Sequence, residues 1–466
     1  MPEIAIIGAG FAGICMAIRL RQAGIDDFTV YEKADALGGV WRDNTYPGAG
    51  CDIPSVLYSY SFAQRADWSR VYPEQREILR YLHECAEGFD VVGRIRFDTE
   101  VFSAGWHPDE SVWRLETSRG SVSARAVVSA VGQLNRPRLP DVPGLDTFAG
   151  TAFHSARWRH DHDLTDRTVA VIGTGPSAVQ FVPRIAERVR KLYVFQRSAN
   201  WVVPKPDRAY GPTARRVFRL VPPARLAVRG ATYLRGETAV YWAVRGDRRG
   251  TLVEKTARRH LAAQIADPDL RRRLTPDFPI GCKRILISQD FYPTLTRDNV
   301  ELVTDPITEV TARGPRTAAR GYDVDTLIHG TGFLATEFLR PMEIVGRDGV
   351  RLHDVWREGA AAHLGIDVPR FPNLFLLYGP GTNLGHNSIV YMIESQVAYV
   401  VRKLRGGRVH EVGEDRYLAA HRALVGGLAG TALEADCTSW YKGADGRVTT
   451  NWPWRTYRYR LATRSA

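Results

Sequence analysis

The sequence predicts an α/β protein built on two Rossmann-like units of parallel sheet and helix, and three observations carry that prediction. An apolar run, Ile4-Ala5-Ile6-Ile7, leads into Gly8-Ala9-Gly10-Phe11-Ala12-Gly13 and then into a helical stretch from Ile14 to Gln22. The same order returns far along the chain as Val169-Ala170-Val171-Ile172, Gly173-Thr174-Gly175-Pro176-Ser177-Ala178 and a helix from Val179 to Arg190. A second strand follows each helix, Phe28-Thr29-Val30-Tyr31 in one unit and Leu192-Tyr193-Val194-Phe195 in the other. One glycine turn alone says little. Two of them, each between a strand and a helix, specify backbone that approaches a pyrophosphate at a helix N-terminus.

The intervening segments are read in chain order. Val127 to Gly132 reads as a strand leaving the first unit, and the polar, Pro-containing stretch Asn135 to Gly144 as a linker. Thr326 to Gly332 reads as the matching exit strand of the second unit. Phe371 to Leu377 then reads as a buried strand returning to the first unit, followed by the glycine-rich loop Gly379 to Gly385 and a helix from about Ser388 to Leu404. Residues 212–274 are helical in pattern and interrupt the second unit as an insertion.

The residue that ends the second strand of each unit assigns its ligand. Glu32 offers a carboxylate to a ribose 2′-OH, which suits the adenosine half of FAD above Gly8, Gly10 and Gly13. The equivalent place in the second unit carries Arg197 beside Ser198. A guanidinium there favours a 2′-phosphate and selects NADPH over NADH above Gly173 and Gly175. The hydroxyls of Ser177 and Ser198 are further candidates for its phosphates. The predicted organisation is therefore an FAD-binding domain in two parts, 1–145 and 336–466, around an NADP-binding domain at 146–335, with a helical insertion at about 205–275.

Bulk properties narrow the class. A chain of 466 residues suits two or three domains, and 44% hydrophobic with 24% charged residues is the balance of a globular protein. No stretch offers the roughly 18 uncharged apolar residues of a membrane span, and the N-terminus is not a secretory signal. The five cysteines, Cys15, Cys51, Cys85, Cys282 and Cys437, form no CxxC pair. Their spacing therefore predicts neither a disulfide framework nor a metal site, and a reduced, cytoplasmic setting fits. The net charge of +12 is concentrated between Lys205 and Arg273. That stretch lacks nucleic-acid-binding signatures, which leaves a solvated basic face, a peripheral membrane contact or a partner contact.

With both nucleotide sites in view, two long motifs show that the sequence resembles the class B flavin monooxygenases, and within them the type I Baeyer–Villiger monooxygenases. One is Phe148-x-Gly150-x-x-x-His154-x-x-x-Trp158, followed here by Arg159 where the family has Pro or Asp. The other is Gly38-Gly39-x-Trp41-x-x-x-x-Tyr46-Pro47-Gly48-x-x-x-Asp52, without fault. The resemblance covers nearly the whole chain. Its tail and the Gly381–Asn387 loop look most like the 4-hydroxyacetophenone branch.

The resemblance implies that NADPH reduces FAD, that O2 adds to give a C4a-peroxyflavin, and that this inserts one oxygen beside a ketone carbonyl to give an ester or lactone. It implies that Arg284, in Gly281-Cys282-Lys283-Arg284, is the active-site cation and that Asp52 is its carboxylate partner. Lys283 is implied to reach the NADPH 2′-phosphate with Arg197, Trp440 to contact nicotinamide, and Trp41 and Tyr46 to flank the flavin. Gly39 and Val101 complete the expected cofactor-binding set, and His154 is expected to couple the domains rather than act as acid or base. Three other readings compete: an amine- or thioether-oxidising monooxygenase, for which Arg159 leaves room; a pyridine-nucleotide electron-transfer reductase, whose disulfide-type members would need a CxxC; and a non-enzymatic flavin sensor.

Overall fold

Short apolar strands pair in parallel to build both units. The computed structural model describes residues 3–246 and 250–466. In the first unit the strand Glu3–Ile7 lies between Phe28–Tyr31 and Gly120–Ser129, parallel to both. Each of these strands is buried on both faces where they pair, which is why they read as continuous apolar runs. The returning strand Leu374–Leu376 joins in parallel to Gly120–Ser129, so the C-terminal part of the chain completes the first sheet. Its following helix, Ile389–Arg405, is capped by Ser388, whose hydroxyl accepts from the Val390 N–H at 3.3 Å. That helix packs between Phe11–Gln22 and Thr456–Ser465, while Phe11–Gln22 packs between it and the first sheet, so both are largely buried.

The first sheet is mixed rather than purely parallel. Val101–His107, Val112–Thr117 and Gly120–Ser129 form an antiparallel meander, and Glu343–Val345 adds to its outer edge. The second sheet has five strands, all parallel, in the order Val300–Val303, Lys191–Phe195, Thr168–Ile172, Thr326–His329 and Thr151–His154.

The helical segment runs through Pro212–Leu220, Pro222–Arg235, Gly250–Gln264 and Pro268–Arg273. On either side of it, Val202–Val203 pairs in parallel with Leu286–Ile287, so the chain leaves and re-enters the second unit at one place. No helix among the described residues is long and apolar enough to cross a membrane.

Candidate active site

The two glycine turns face one large cleft of about 2420 Å³. Both sit at the carboxyl ends of parallel strands, where dinucleotides bind in open α/β sheets. Gly8 has φ of 103°, and a Cβ there would stand 2.8 Å from the Ala130 carbonyl oxygen. Gly13 is tighter still, since its Cβ would lie 1.8 Å from the Gly8 oxygen. Gly39, with φ of 55°, comes over the turn so closely that its Cβ would be 3.2 Å from the Gly10 Cα. The result is a cradle of bare backbone that a pyrophosphate can approach. Glu32 is buried beside it, accepting from the Ala9 N–H at 2.8 Å and the Ala34 N–H at 3.1 Å, with Arg42 at 3.1 Å.

In the second unit Gly173 repeats the role of Gly8, its Cβ position lying 2.5 Å from the Gly330 oxygen. Ser177 and Gly175 begin the helix Pro176–Ile185 at the cleft wall. Beyond the second strand, Arg197, Ser198 and Lys283 converge, with Lys283 Nζ donating to Ser198 Oγ at 2.7 Å. Among the described residues no carboxylate pairs with Arg197 or Lys283. Burial lowers the Lys283 pKa and the like charge of Arg197 lowers it further, with Asp277 opposing them, so the cluster has the charge to receive an anionic group.

Between the two turns, Arg284 Nη2 meets Asp52 Oδ2 at 3.0 Å, across 232 residues of sequence. Burial works against the guanidinium's charge, but Asp52, with the phenols and thiol of Tyr441, Cys51 and Tyr378 around it, holds its pKa above the ordinary value. The ion pair is one-third exposed on the arginine side and nearly closed on the aspartate side, so the cation faces the cleft.

Full-length relatives decide what this arrangement belongs to. A Baeyer–Villiger monooxygenase of Pseudomonas aeruginosa is 43% identical over 99% of this chain and 89% of its own length. One of Streptomyces coelicolor is 42% identical over 99% and 91%. The chain belongs to the Baeyer–Villiger monooxygenases. Residues 5–220 also match the pyridine nucleotide-disulphide oxidoreductase family. Among solved structures, a steroid monooxygenase bound to NADP superimposes with a TM-score of 0.89 at 32% identity, over 100% of this chain and 97% of that one. OTEMO in complex with FAD and NADP gives 0.90 at 29% identity over the same shares. The enzyme is therefore an FAD- and NADP-dependent monooxygenase, and a simple reductase or a flavin sensor is not favoured.

Most residues singled out in the sequence line the cleft, including Trp41, Val101, Trp440 and Tyr46. Trp41 donates from its indole to the Tyr58 hydroxyl at 3.1 Å. Trp440 stacks at a tilt on Tyr441, with centroids 4.5 Å apart. Tyr46 is a different case: its ring packs on Phe181 of the second unit and its hydroxyl donates to Gln180 Oε1 at 3.0 Å. Burial pushes its phenol up to about 12. Gly48, next in the same motif, packs onto the same helix, since a Cβ there would lie 2.7 Å from the Gln180 oxygen. The motif thus docks the first unit's loop on the second unit's helix.

Gln180 was not legible in the sequence, because a helical glutamine carries no motif. Its amide joins Tyr46, the Gly50 backbone and Asp52 Oδ1 (3.4 Å) in one network between the units. Tyr378 was missed as well; it faces Arg284 and its hydroxyl donates to Asn383 Oδ1 at 2.7 Å. Arg159, the departure from the family fingerprint, pairs with Asp161 at 2.6 Å outside the cleft, so it gives no reason to expect a different oxygenation.

One expectation fails. Cys282 and Cys437 are disulfide-bonded, against the prediction of no disulfide. The bond spans 155 residues, a separation at which spacing patterns carry no information, and it ties the segment before Lys283 and Arg284 to the loop before Trp440. Cys15, Cys51 and Cys85 are free and buried. Cysteine spacing therefore no longer supports a reduced compartment.

Proposed function

We propose that the enzyme inserts one oxygen beside the carbonyl of a ketone, with NADPH and O2 as co-substrates, and that Arg284 is the catalytic cation. The observation that carries this is the Arg284–Asp52 pair, which holds a permanent positive charge inside the cleft between the two nucleotide cradles. Bound FAD, reduced by NADPH, supplies the oxygen-transfer chemistry. An anion that attacks a carbonyl, and the oxyanion it leaves, both gain from a fixed donor placed before the reaction, because no solvent has to reorganise. Arginine suits this better than lysine or histidine since it does not lose its proton at working pH. Asp52 orients the guanidinium, and the Gln180 amide orients Asp52 from the far side.

In the same reading, Gly8, Gly10, Gly13, Gly39, Glu32, Trp41 and Val101 hold FAD, and Gly173, Gly175, Ser177, Arg197, Ser198, Lys283 and Trp440 hold NADPH. The domain division follows, with residues 1–145 and 336–466 around 146–335. A cytoplasmic location is part of the proposal. Tyr46, packed on Phe181, is assigned to positioning rather than to direct stacking on flavin.

Arg284→Ala is expected to keep bound FAD, read from its visible absorbance, while losing about 10²–10³ in ester formation over a panel of ketones. Ester made at the parent rate by that variant would remove Arg284 from the mechanism.

A further inference from the structure

The helical insertion has two faces of opposite character. Its inner face is anchored: Phe218 packs edge-on against Tyr210, with centroids 5.3 Å apart, and Arg229 donates to the carbonyl oxygens of Val56 and Ser59. Glu237, buried, accepts from the Asn387 amide at 2.7 Å and from the Thr456 hydroxyl at 2.7 Å. Part of this inner side also walls the cleft, through Ala214, Phe218, Thr232, Gly236 and Val240.

Among the described residues the outer face has no partner. On the helix Pro222–Arg235 the exposed arc at helical spacing is Pro223, Leu226, Ala227, Gly230, Ala231 and Leu234, every one apolar. Leu226 is 54% and Leu234 60% exposed, and Leu220, at the end of the preceding helix, is 65% exposed. A contiguous apolar ridge of this kind marks an interaction surface rather than scattered exposed residues. Beside it stand the exposed Arg216 and Arg219, while Arg235 turns toward the cleft. Among the described residues no carboxylate forms an ion pair with either, the nearest influence being Asp67, already bound to Arg65 and electrostatically coupled to Arg219. From 212 to 246 the sequence holds seven arginines and one acidic residue, Glu237, which is buried on the inner side.

We infer that this face docks the enzyme on an anionic lipid surface, with the leucine ridge entering the headgroup boundary and the arginines meeting lipid phosphates. Charge decides the occupant. A second copy of the chain would bring arginine against arginine, whereas an anionic bilayer neutralises those guanidinium groups and also buries the leucines. Docking places the cleft wall formed by the same helices next to the membrane, where an apolar ketone dissolved in the bilayer is concentrated. The statement about the ketone rests on the oxygenation reading above; the docking does not.

The test is sedimentation of the FAD-loaded enzyme with phosphatidylcholine vesicles, alone or with about 30% phosphatidylglycerol. Binding is expected to be at least about tenfold stronger to the anionic vesicles and to weaken as salt is raised. The triple variant Leu220→Asp, Leu226→Asp, Leu234→Asp and, separately, the charge-reversed Arg216→Glu, Arg219→Glu should each lose that binding. None of these side chains lines the cleft, so turnover of a short, water-soluble ketone should persist in both, while turnover of a long-chain ketone supplied in anionic vesicles falls. No sedimentation of the parent, or sedimentation of both variants like the parent, overturns the inference. So does a parent that forms a dimer the triple variant lacks and ignores vesicles, which would make the ridge a self-interface. Should one variant lose its flavin, the other carries the test. A ketone assay that fails while sedimentation holds would count against the oxygenation reading and leave docking intact.

Discussion

The two glycine turns solve one problem with different residues. In the first unit the helix sits so close to the preceding strand that only Gly13 fits, its Cβ position falling 1.8 Å from the Gly8 oxygen. In the second unit the corresponding residue is Ala178, fully buried. The room comes from the neighbouring strand, where Gly330 presents no side chain; a Cβ there would lie 3.4 Å from the Ala178 Cβ and 3.3 Å from the Ile172 oxygen. Close approach is thus conserved in effect while the glycine that permits it moves from the helix to the adjacent strand. The charged ends differ more deeply: a carboxylate held by backbone N–H groups in one, a cluster of cations with no ion-pair partner among the described residues in the other.

Four measurements would break or sharpen that comparison. The largest effect should come from Gly13→Ala, since a methyl group at 1.8 Å from a carbonyl oxygen cannot be absorbed by rotamer changes. Purified protein should be colourless or strongly depleted in FAD, and a normally yellow variant would mean that the helix can retreat. Next, Arg197→Ala should raise the KM for NADPH by about 10- to 100-fold with little change for NADH, because charge-assisted hydrogen bonds contribute about 1.5–3 kcal/mol each. An equal loss with both nucleotides would deny Arg197 a phosphate.

Acid should separate the units. His154 and His329 lie side by side in the second sheet, and burial lowers each to about 4. Their folded pKa values are below the unfolded value near 6.5, so between about pH 6.5 and 4 the unfolded chain binds more protons and stability drops as the pH is lowered, by about 1–3 kcal/mol. Melting followed against pH should show this loss, and His329→Asn should flatten it; an unchanged profile would mean the histidines do not set it. The smallest effect is expected for Ala178→Gly, which restores the glycine pattern yet costs about 1 kcal/mol or less of helix stability. Unchanged NADPH affinity in that variant would show that the second turn needs no third glycine of its own.

Recognition of the local elements required little beyond the sequence. Strands buried on both faces announce themselves as apolar runs, and a glycine turn before a helix is fixed by steric rules within a few residues. The antiparallel meander from Val101 to Ser129 was harder, because Val101–His107 and Val112–Thr117 are only half-buried and their pairing shifts in register between Val101 and Ser103. The pairing of Arg284 with Asp52 in the cleft was reachable through motif alone, since nothing in Lys283-Arg284 distinguishes a cleft cation from a basic surface pair. Gln180 and Tyr378 carried no signal, as their importance lies in what packs beside them.

By itself, then, the order of residues determined two glycine-turn cradles, the different charge at the end of each and the family motifs. Those properties depend on backbone sterics and charge within one turn of chain. Only the tertiary structure decided that Cys282 bonds Cys437, that Tyr46 docks on the second unit's helix, and that the insertion turns its leucines outward. Such contacts join residues far apart in sequence, and their energy exists only once the chain has closed the loops between them.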